Sequence, residues 1–352
     1  MNILVIGGTG FLSNKTVIKL LALGHQVTIF TRGKSRKFLP ESPHLNFVVG
    51  DRRNEDDLRR SLGSNKSFDV VYDFVAYHPE ESEMAINVFE GRVGRFIHCS
   101  TISVYMVSDD VQCPITEDQD RLPLMSYWDR NPFGMEYGIQ KRACEDVLWS
   151  AHHDQRFPVS MLRPTFICGP DDPAKRDFFW IERILDGKPL LIPGSGDFAF
   201  QSVYLDDVAQ AFVDLLDYNA SIGQAYNVVG EEIFSLNDYL RSLCRLLKHA
   251  PEFIHVDQEI FNELAFSRCP DGDVFPFNTR RTTIFSLDKI KRDLKYRSTP
   301  FDKWMGATID WYLKKYPGHS FGYERRSDEL HFIQQWEIMH RKLREDVASY
   351  LT

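Results

Sequence analysis

The sequence predicts an α/β fold: a Rossmann-like, doubly wound parallel sheet with a smaller, mainly helical C-terminal substrate lobe. Three observations predict it. Short unbroken apolar runs alternate with helical patterns through the first half of the chain, and the loop Gly7-Gly8-Thr9-Gly10 stands between the first run and the first helical pattern. Past the middle, the connections lengthen and grow rich in Pro, Gly and Asp.

The apolar runs Ile3 to Ile6, Val27 to Phe30, Phe47 to Val49, Val70 to Val75 and Phe96 to Cys99 each read as a buried strand. A sheet covered on both faces takes apolar side chains without alternation. Phe11 to Leu23 carries Val17, Leu20 and Leu21 at helical spacing and stops at Gly24, a residue able to close a helix in the left-handed conformation. Asn54 is placed to cap a helix over Glu55 to Leu62. Glu136 to His152, Asp206 to Tyr218, Ser235 to Lys248 and Asp302 to Lys314 read as helices, with short strands at Val159 to Leu162 and Ala225 to Val229. Residues 1–170 with 198–230 are expected to form the dinucleotide-binding domain, and 171–197 with 231–316 the substrate lobe. Residues 317–352 form a C-terminal extension. There Leu330, Ile333, Trp336, Met339, Leu343 and Val347 make an apolar stripe, so Asp328 to Ser349 is an amphipathic helix packed on the body or on a second subunit.

The 352 residues carry 42 Lys plus Arg against 50 Asp plus Glu, a net charge of -8, and the pI is near 5.8. That balance gives no global positive field for nucleic acid or an anionic membrane. The six cysteines show no Cys-x-x-Cys spacing, which speaks against a zinc ribbon or a disulfide framework and for reduced thiols in a cytoplasmic protein. The apolar run at the N-terminus has no basic segment before it and is too short for a signal peptide or a membrane span. His78 and the pair His152-His153 lack partners at metal-ligand spacing, so no metal site is expected.

Gly7-Gly8-Thr9-Gly10-Phe11-Leu12 follows the first strand and opens the first helix, the context in which a glycine loop presents backbone amides to a pyrophosphate. Ser13 occupies the place of the usual third glycine. After the second strand, Thr31-Arg32-Gly33-Lys34 offers no carboxylate for a ribose diol, whereas Arg32, helped by Lys34 and Arg36, suits a 2′-phosphate. NADP is therefore the expected cofactor, with NAD the alternative. Asp51, just past the third strand, is placed to accept a hydrogen bond from the adenine amino group.

Tyr137 and Lys141 stand four apart on one helix face. Oxidising a secondary alcohol needs a base for the hydroxyl proton. A phenol with an ordinary pKa near 10 serves only when a cation stabilises its anion. Thr101, at the end of the fifth strand, can offer its hydroxyl to the substrate oxygen; Ser100 and Ser103 compete for that role. Arg176 and Arg280 are candidates for holding an anionic substrate group.

The glycine loop, Ser100-Thr101-x-x-Val104-Tyr105 and Tyr137-x-x-x-Lys141, in this order, resemble the extended short-chain dehydrogenase/reductases, the NAD-dependent epimerase/dehydratase family. Arg163-Pro164 to Gly169-Pro170, Pro193-Gly194-Ser195-Gly196 to Ala209, Ser286 to Ile290 and Trp311-Tyr312 agree with it. The resemblance implies Tyr137 as catalytic acid/base, Lys141 as its partner and ribose ligand, and Thr101 as the hydroxyl residue. It also implies a sugar-like, sometimes nucleotide-linked substrate, and it is compatible with a homodimer. Epimerisation or net reduction or oxidation follows according to whether the nicotinamide cycles internally. Three places depart from the family pattern. Ile102 and Ser103 stand where sugar-nucleotide dehydratases carry an Asp-Glu pair, Phe166 replaces an Asn, and Asp73 replaces a His. Dehydration is disfavoured on that ground. Gly50-Asp51-Arg52 and the Asp69 to Ala76 strand also resemble plastid stem-loop RNA-binding proteins, which sets an RNA-binding or cofactor-sensing protein without turnover beside the enzyme.

Overall fold

The computed structural model describes residues 1–34, 39–62, 67–269, 272–316, 318–348 and 350. The chain begins β1 (Asn2–Ile6), α1 (Phe11–Ala22), β2 (Gln26–Thr31), β3 (Leu45–Val49), α2 (Glu55–Leu62), β4 (Phe68–Asp73), α3 (Pro79–Phe89) and β5 (Val93–Cys99). A 3-10 turn at Ile102–Val104 and a long connection lead to α4 (Met135–His153), β6 (Val159–Pro164) and β7 (Phe166–Cys168). Then come α5 (Arg176–Leu185), β8 (Leu190–Pro193), β9 (Ser202–Tyr204), α6 (Leu205–Asp214), β10 (Gln224–Val228) and α7 (Leu236–Leu247). The remainder is β11 (Phe253–Val256), α8 (Gln258–Glu263), β12 (Arg268–Cys269), β13 (Gly272–Asp273), α9 (Asp288–Leu294), α10 (Phe301–Lys315) and α11 (Arg326–Ala348). Two compact units result. The first comprises Met1–Cys168, Gln201–Glu232 and Thr283–Pro300; the second comprises Gly169–Phe200, Ile233–Thr282 and Phe301–Thr352.

The first unit is built on a seven-stranded parallel sheet in the order β10-β6-β5-β4-β1-β2-β3. The chain runs outward from β1 to β3, returns to β4 beside β1, and then runs outward the other way. That reversal opens a crevice beyond the carboxyl ends of β1 and β4, where open α/β sheets bind ligands. The apolar runs are two-sided, as expected. Ile3 and Val5 join Val17 and Leu20 of α1 and Val208 and Phe212 of α6, while Leu4 and Ile6 join Leu58 of α2, Phe89 of α3 and Leu148 of α4. Helices thus cover both faces.

Local caps explain where elements stop. Gly24 closes α1 at φ +78°, with His25 N–H donating to Leu20 O at 3.2 Å. Asn54 Oδ1 accepts from Asp57 N–H at 2.9 Å at the start of α2. Two expectations shift. β4 ends at Asp73, because the Asp73 carboxylate accepts the Val75 N–H at 3.0 Å and turns the chain out of the sheet. The helix read through Tyr218 ends at Asp214, and Leu215–Asp217 tightens into a 3-10 turn. β3 is the sheet edge, so it is only half-buried despite its apolar run.

In the second unit β8 pairs in parallel with β11, and α5 buries Phe178, Phe179 and Trp180. Arg183 of α5, fully buried over the Phe179 ring, pairs with Glu329 of α11 at 3.0 Å, and Arg326 binds both Glu329 and Asp186. These buried pairs fix the first turns of α11.

Candidate active site

The glycine loop is held by its own backbone. Gly7 takes φ +83°, donates its N–H to Phe30 O at 3.0 Å, and packs so tightly that a Cβ there would lie 2.5 Å from Val75. Only glycine meets both demands. Thr9 N–H returns to Gly7 O at 2.8 Å. Ser13, in the third-glycine place, is buried and donates its hydroxyl to Gly7 O at 2.7 Å while accepting from Gly10 N–H at 3.0 Å. The hydroxymethyl group therefore ties the loop rather than obstructing it. Gly8 lies against Ile29, Leu12 is buried, and Phe11 is half-buried.

Beyond the ends of β1 and β4 is a cleft of about 500 Å³ whose lining includes Gly7, Thr9, Gly10, Arg32, Asp51 and Tyr77, together with Arg52, Arg53, His78 and Glu81. Five of the expected cofactor residues are brought together here, whereas Gly8, Phe11, Leu12 and Lys141 are not in its lining. Arg32 is exposed at the rim. Lys34 is exposed too, and Arg36 lies outside the described residues. The Asp51 carboxylate accepts Arg53 N–H at 3.0 Å and sits 3.4 Å from the Arg53 guanidinium, which holds its pKa below the ordinary carboxylate value. Arg52 turns inward. Buried beneath the cleft, it binds Asp73 and lies 3.6 Å from Glu81, whose carboxylate accepts Tyr77 N–H at 2.6 Å. Asp73, which stands where the family pattern has a His, thus belongs to a buried ion pair.

Tyr137 lies in the first turn of α4, 40% exposed, its ring centroid 6.4 Å from that of Tyr77. Lys141, one turn on, is buried, and its ammonium donates to Ala76 O and Cys99 O, both at 2.7 Å, and to His98 Nε2 at 3.1 Å. Three N–H groups meet three acceptors, so a ribose hydroxyl binding Lys141 must replace one of them. Complete burial, reinforced by the Lys141 charge, pushes the His98 imidazole well below its ordinary range. His98 is therefore neutral and accepts at Nε2. Gly138, between the two residues, would place a Cβ 2.6 Å from Ser103 O, so α4 touches the Ile102–Val104 turn directly.

The three hydroxyl candidates differ in partners. Ser100 donates to the buried Glu145, which is also bound by Arg163, with Nε to Oε1 at 2.9 Å. Ser103 donates to Phe133 O at 2.9 Å. Thr101 Oγ1 accepts Ser103 N–H at 3.2 Å and donates its own hydroxyl to Ser103 Oγ at 3.3 Å. The substrate candidates Arg176 and Arg280 belong to the second unit. Arg176 is 3.5 Å from Asp172, and Arg280 binds Asp273 with its side chain mostly buried. Sequence reasoning missed Tyr77, His98 and Arg52. An aromatic just past a central strand was the signal for the first, but a His and an Arg that become buried carry none in the sequence. Among the described residues, no group of three or more His, Cys, Asp or Glu could hold a metal ion, and no helix is long and apolar enough to cross a membrane.

Residues 3–229 match the family described as NAD dependent epimerase/dehydratase. The chain belongs to that family. Among curated proteins, it is 27% identical, over 97% of its length and 85% of the relative's, to the chloroplast stem-loop binding protein of 41 kDa b of Arabidopsis thaliana. It is also 27% identical to an Arabidopsis thaliana trifunctional UDP-glucose 4,6-dehydratase/UDP-4-keto-6-deoxy-D-glucose 3,5-epimerase/UDP-4-keto-L-rhamnose-reductase, covering 89% of this chain but only 47% of that one. Among solved structures, the UDP-glucuronic acid 4-epimerase of Bacillus cereus in complex with NAD superposes with a TM-score of 0.69 at 20% identity, covering 90% of this chain and 100% of that one. The dTDP-glucose 4,6-dehydratase of Bacillus anthracis, also with NAD, gives 0.69 at 19% identity over 90% and 97%. These structures establish the shared fold.

Proposed function

We propose that the protein is an NADP(H)- or NAD(H)-dependent enzyme acting on a secondary alcohol or ketone of a sugar-like, sometimes nucleotide-linked substrate, with Tyr137 as acid/base. One observation carries the reading: Tyr137 stands beside Tyr77, and Tyr77 lines the same cleft as Gly7, Thr9 and Gly10. The cleft suits a dinucleotide. Its floor is glycine backbone at the N-terminus of the twelve-residue α1, and Arg32 and Arg53 give its rim positive charge. Gly7, Thr9 and Gly10 would hold the pyrophosphate, Asp51 the adenine side and Arg32 a 2′-phosphate. When bound there, the nicotinamide supplies the hydride acceptor or donor. Tyr137 takes the substrate's hydroxyl proton or returns it, the Lys141 charge stabilises the phenolate, and Thr101 steadies the substrate oxygen.

Epimerisation or net reduction or oxidation fits better than dehydration. Ile102 is a buried apolar residue and Ser103 spends its hydroxyl on Phe133 O, so neither of those places supplies a carboxylate for water loss. The experiment is a screen of sugar nucleotides and free polyols with NADP(H) and NAD(H), run on wild type and Tyr137→Phe. Turnover should fall by roughly 10² to 10⁴ in the variant, and equal rates would remove the mechanism. The name of the first relative gives the RNA-binding reading its foothold, while the net charge of -8 opposes it. RNA binding that weakens steeply with salt, without nicotinamide turnover, would decide for that reading.

A further inference from the structure

Arg52 reaches under the cleft to the two carboxylates that shape the loop between β4 and α3. It is 7% exposed, binds Asp73, and holds Nη1 3.6 Å from Glu81. Its Nε and Nη1 groups meet no hydrogen-bond acceptor. Donors left unmatched in this way are costly to bury, so the guanidinium sits there for its charge between two anions rather than for its own hydrogen bonds. Asp73 Oδ1 accepts Val75 N–H at 3.0 Å, and Glu81 Oε2 accepts Tyr77 N–H at 2.6 Å and His78 N–H at 3.1 Å. One cation thus secures residues 74–78 at both ends.

That loop meets α4 at Tyr137, Gln140 and Lys141. Ala76 O accepts from the Lys141 ammonium at 2.7 Å, and the same ammonium lies 5.8 Å from the centroid of the Tyr77 ring. The Tyr77 and Tyr137 ring centroids are 6.4 Å apart, and His78 Nδ1 is 3.4 Å from Gln140 Oε1. We infer that Arg52 is a positioning residue for Tyr137 and Lys141, acting through Asp73, Glu81 and this loop. Its catalytic meaning rests on the acid/base reading of Tyr137 proposed above. Without the guanidinium, both carboxylates lose their counter-charge in a buried place, and hydrating them draws the amides they hold out of position. The Ala76 carbonyl then no longer fixes the ammonium beside the phenol. A misplaced proton-transfer group weakens the transition state more than substrate binding, so the effect falls on kcat.

Two readouts on the full chain test this in Arg52→Met and Arg52→Lys: hydrogen exchange over residues 74–82 and 135–144, and turnover of the substrate that the screen identifies. In Arg52→Met, exchange at Val75, Tyr77 and His78 should rise on the order of tenfold, exchange over 135–144 should rise with it, and kcat and kcat/KM should fall together by roughly 10²-fold. Arg52→Lys returns the charge without the fork that reaches two anions, and should recover part of the loss. Should Arg52→Met fail to fold, Arg52→Met with Asp73→Asn leaves Asp73 no unpaired charge and keeps an acceptor for Val75 N–H; the same changes are expected there at Tyr77 and His78. Exchange that stays at wild-type rates in a folded variant overturns the inference. So does a kcat per folded molecule that stays at the wild-type value while the loop loosens. A wild type without nicotinamide turnover counts against the Tyr137 mechanism instead, and exchange over 135–144 then decides by itself whether Arg52 holds the two residues in place.

Discussion

At the residue scale, the proposed preference for NADP rests on Arg32. β2 ends in Thr31 without a carboxylate, and Arg32 stands exposed at the rim of the cleft. A charge-assisted hydrogen bond to a phosphate contributes about 1.5 to 3 kcal/mol, or roughly 10- to 100-fold in binding. Arg32→Ala should therefore lower kcat/KM for NADP(H) by about that factor and leave NAD(H) nearly unchanged. Parallel losses with the two cofactors would place the 2′-phosphate elsewhere. That reading uses only charge and position, which the sequence carries without packing. Arg52 shows the converse: read as part of a Gly-Asp-Arg stretch, it proves buried against Asp73, a pairing that depends on β4 lying next to β1.

At the element scale, the relation between α4 and the end of β5 decides whether Tyr137 and Thr101 can act on one substrate. Their spacing is set at Gly138, whose missing side chain lets α4 rest on Ser103 O. Gly138→Ala must push the helix outward, because the atom met is backbone and cannot rotate aside. The expected result is a loss of about 1 to 3 kcal/mol in stability and a fall in kcat on the order of 10²-fold. Calorimetry with turnover measurement checks both, and wild-type values for both would show the contact to be slack. In the sequence this glycine is simply one of the three residues between Tyr137 and Lys141. Its packing role appears once the helix and the turn are brought together.

On the scale of the whole molecule, burial of His98 couples the site to acid stability. Its folded pKa lies well below the ordinary 6.5, so the unfolded chain takes up a proton there that the folded chain refuses. Stability therefore rises with pH in this region and is lost as pH falls below 6.5, by about 1.4 kcal/mol for each pH unit. His25 and His255, lowered by partial burial, act with the same sign. Compared with His98→Gln, wild type should lose stability faster in denaturant titrations between pH 7 and 5.5. Identical slopes would mean that His98 is hydrated or charged in the fold. The variant keeps an acceptor for Lys141, which separates this effect from loss of the ammonium's seat.

By itself, the sequence determined the parallel sheet, the glycine loop at its centre and the placing of Tyr137 and Lys141 one turn apart on one helix. Each of these is written in local period or spacing: apolar runs for a two-sided sheet, glycine where φ turns positive, and four residues for one helical turn. Only the tertiary structure decided which hydroxyl and which cation are already engaged. Ser100 faces Glu145, Ser103 faces Phe133 O, and Lys141 meets Ala76, Cys99 and His98, all partners distant in sequence. Those pairings follow from strand order and helix approach, because a buried polar group must be satisfied by whatever chain crossing brings within hydrogen-bond reach.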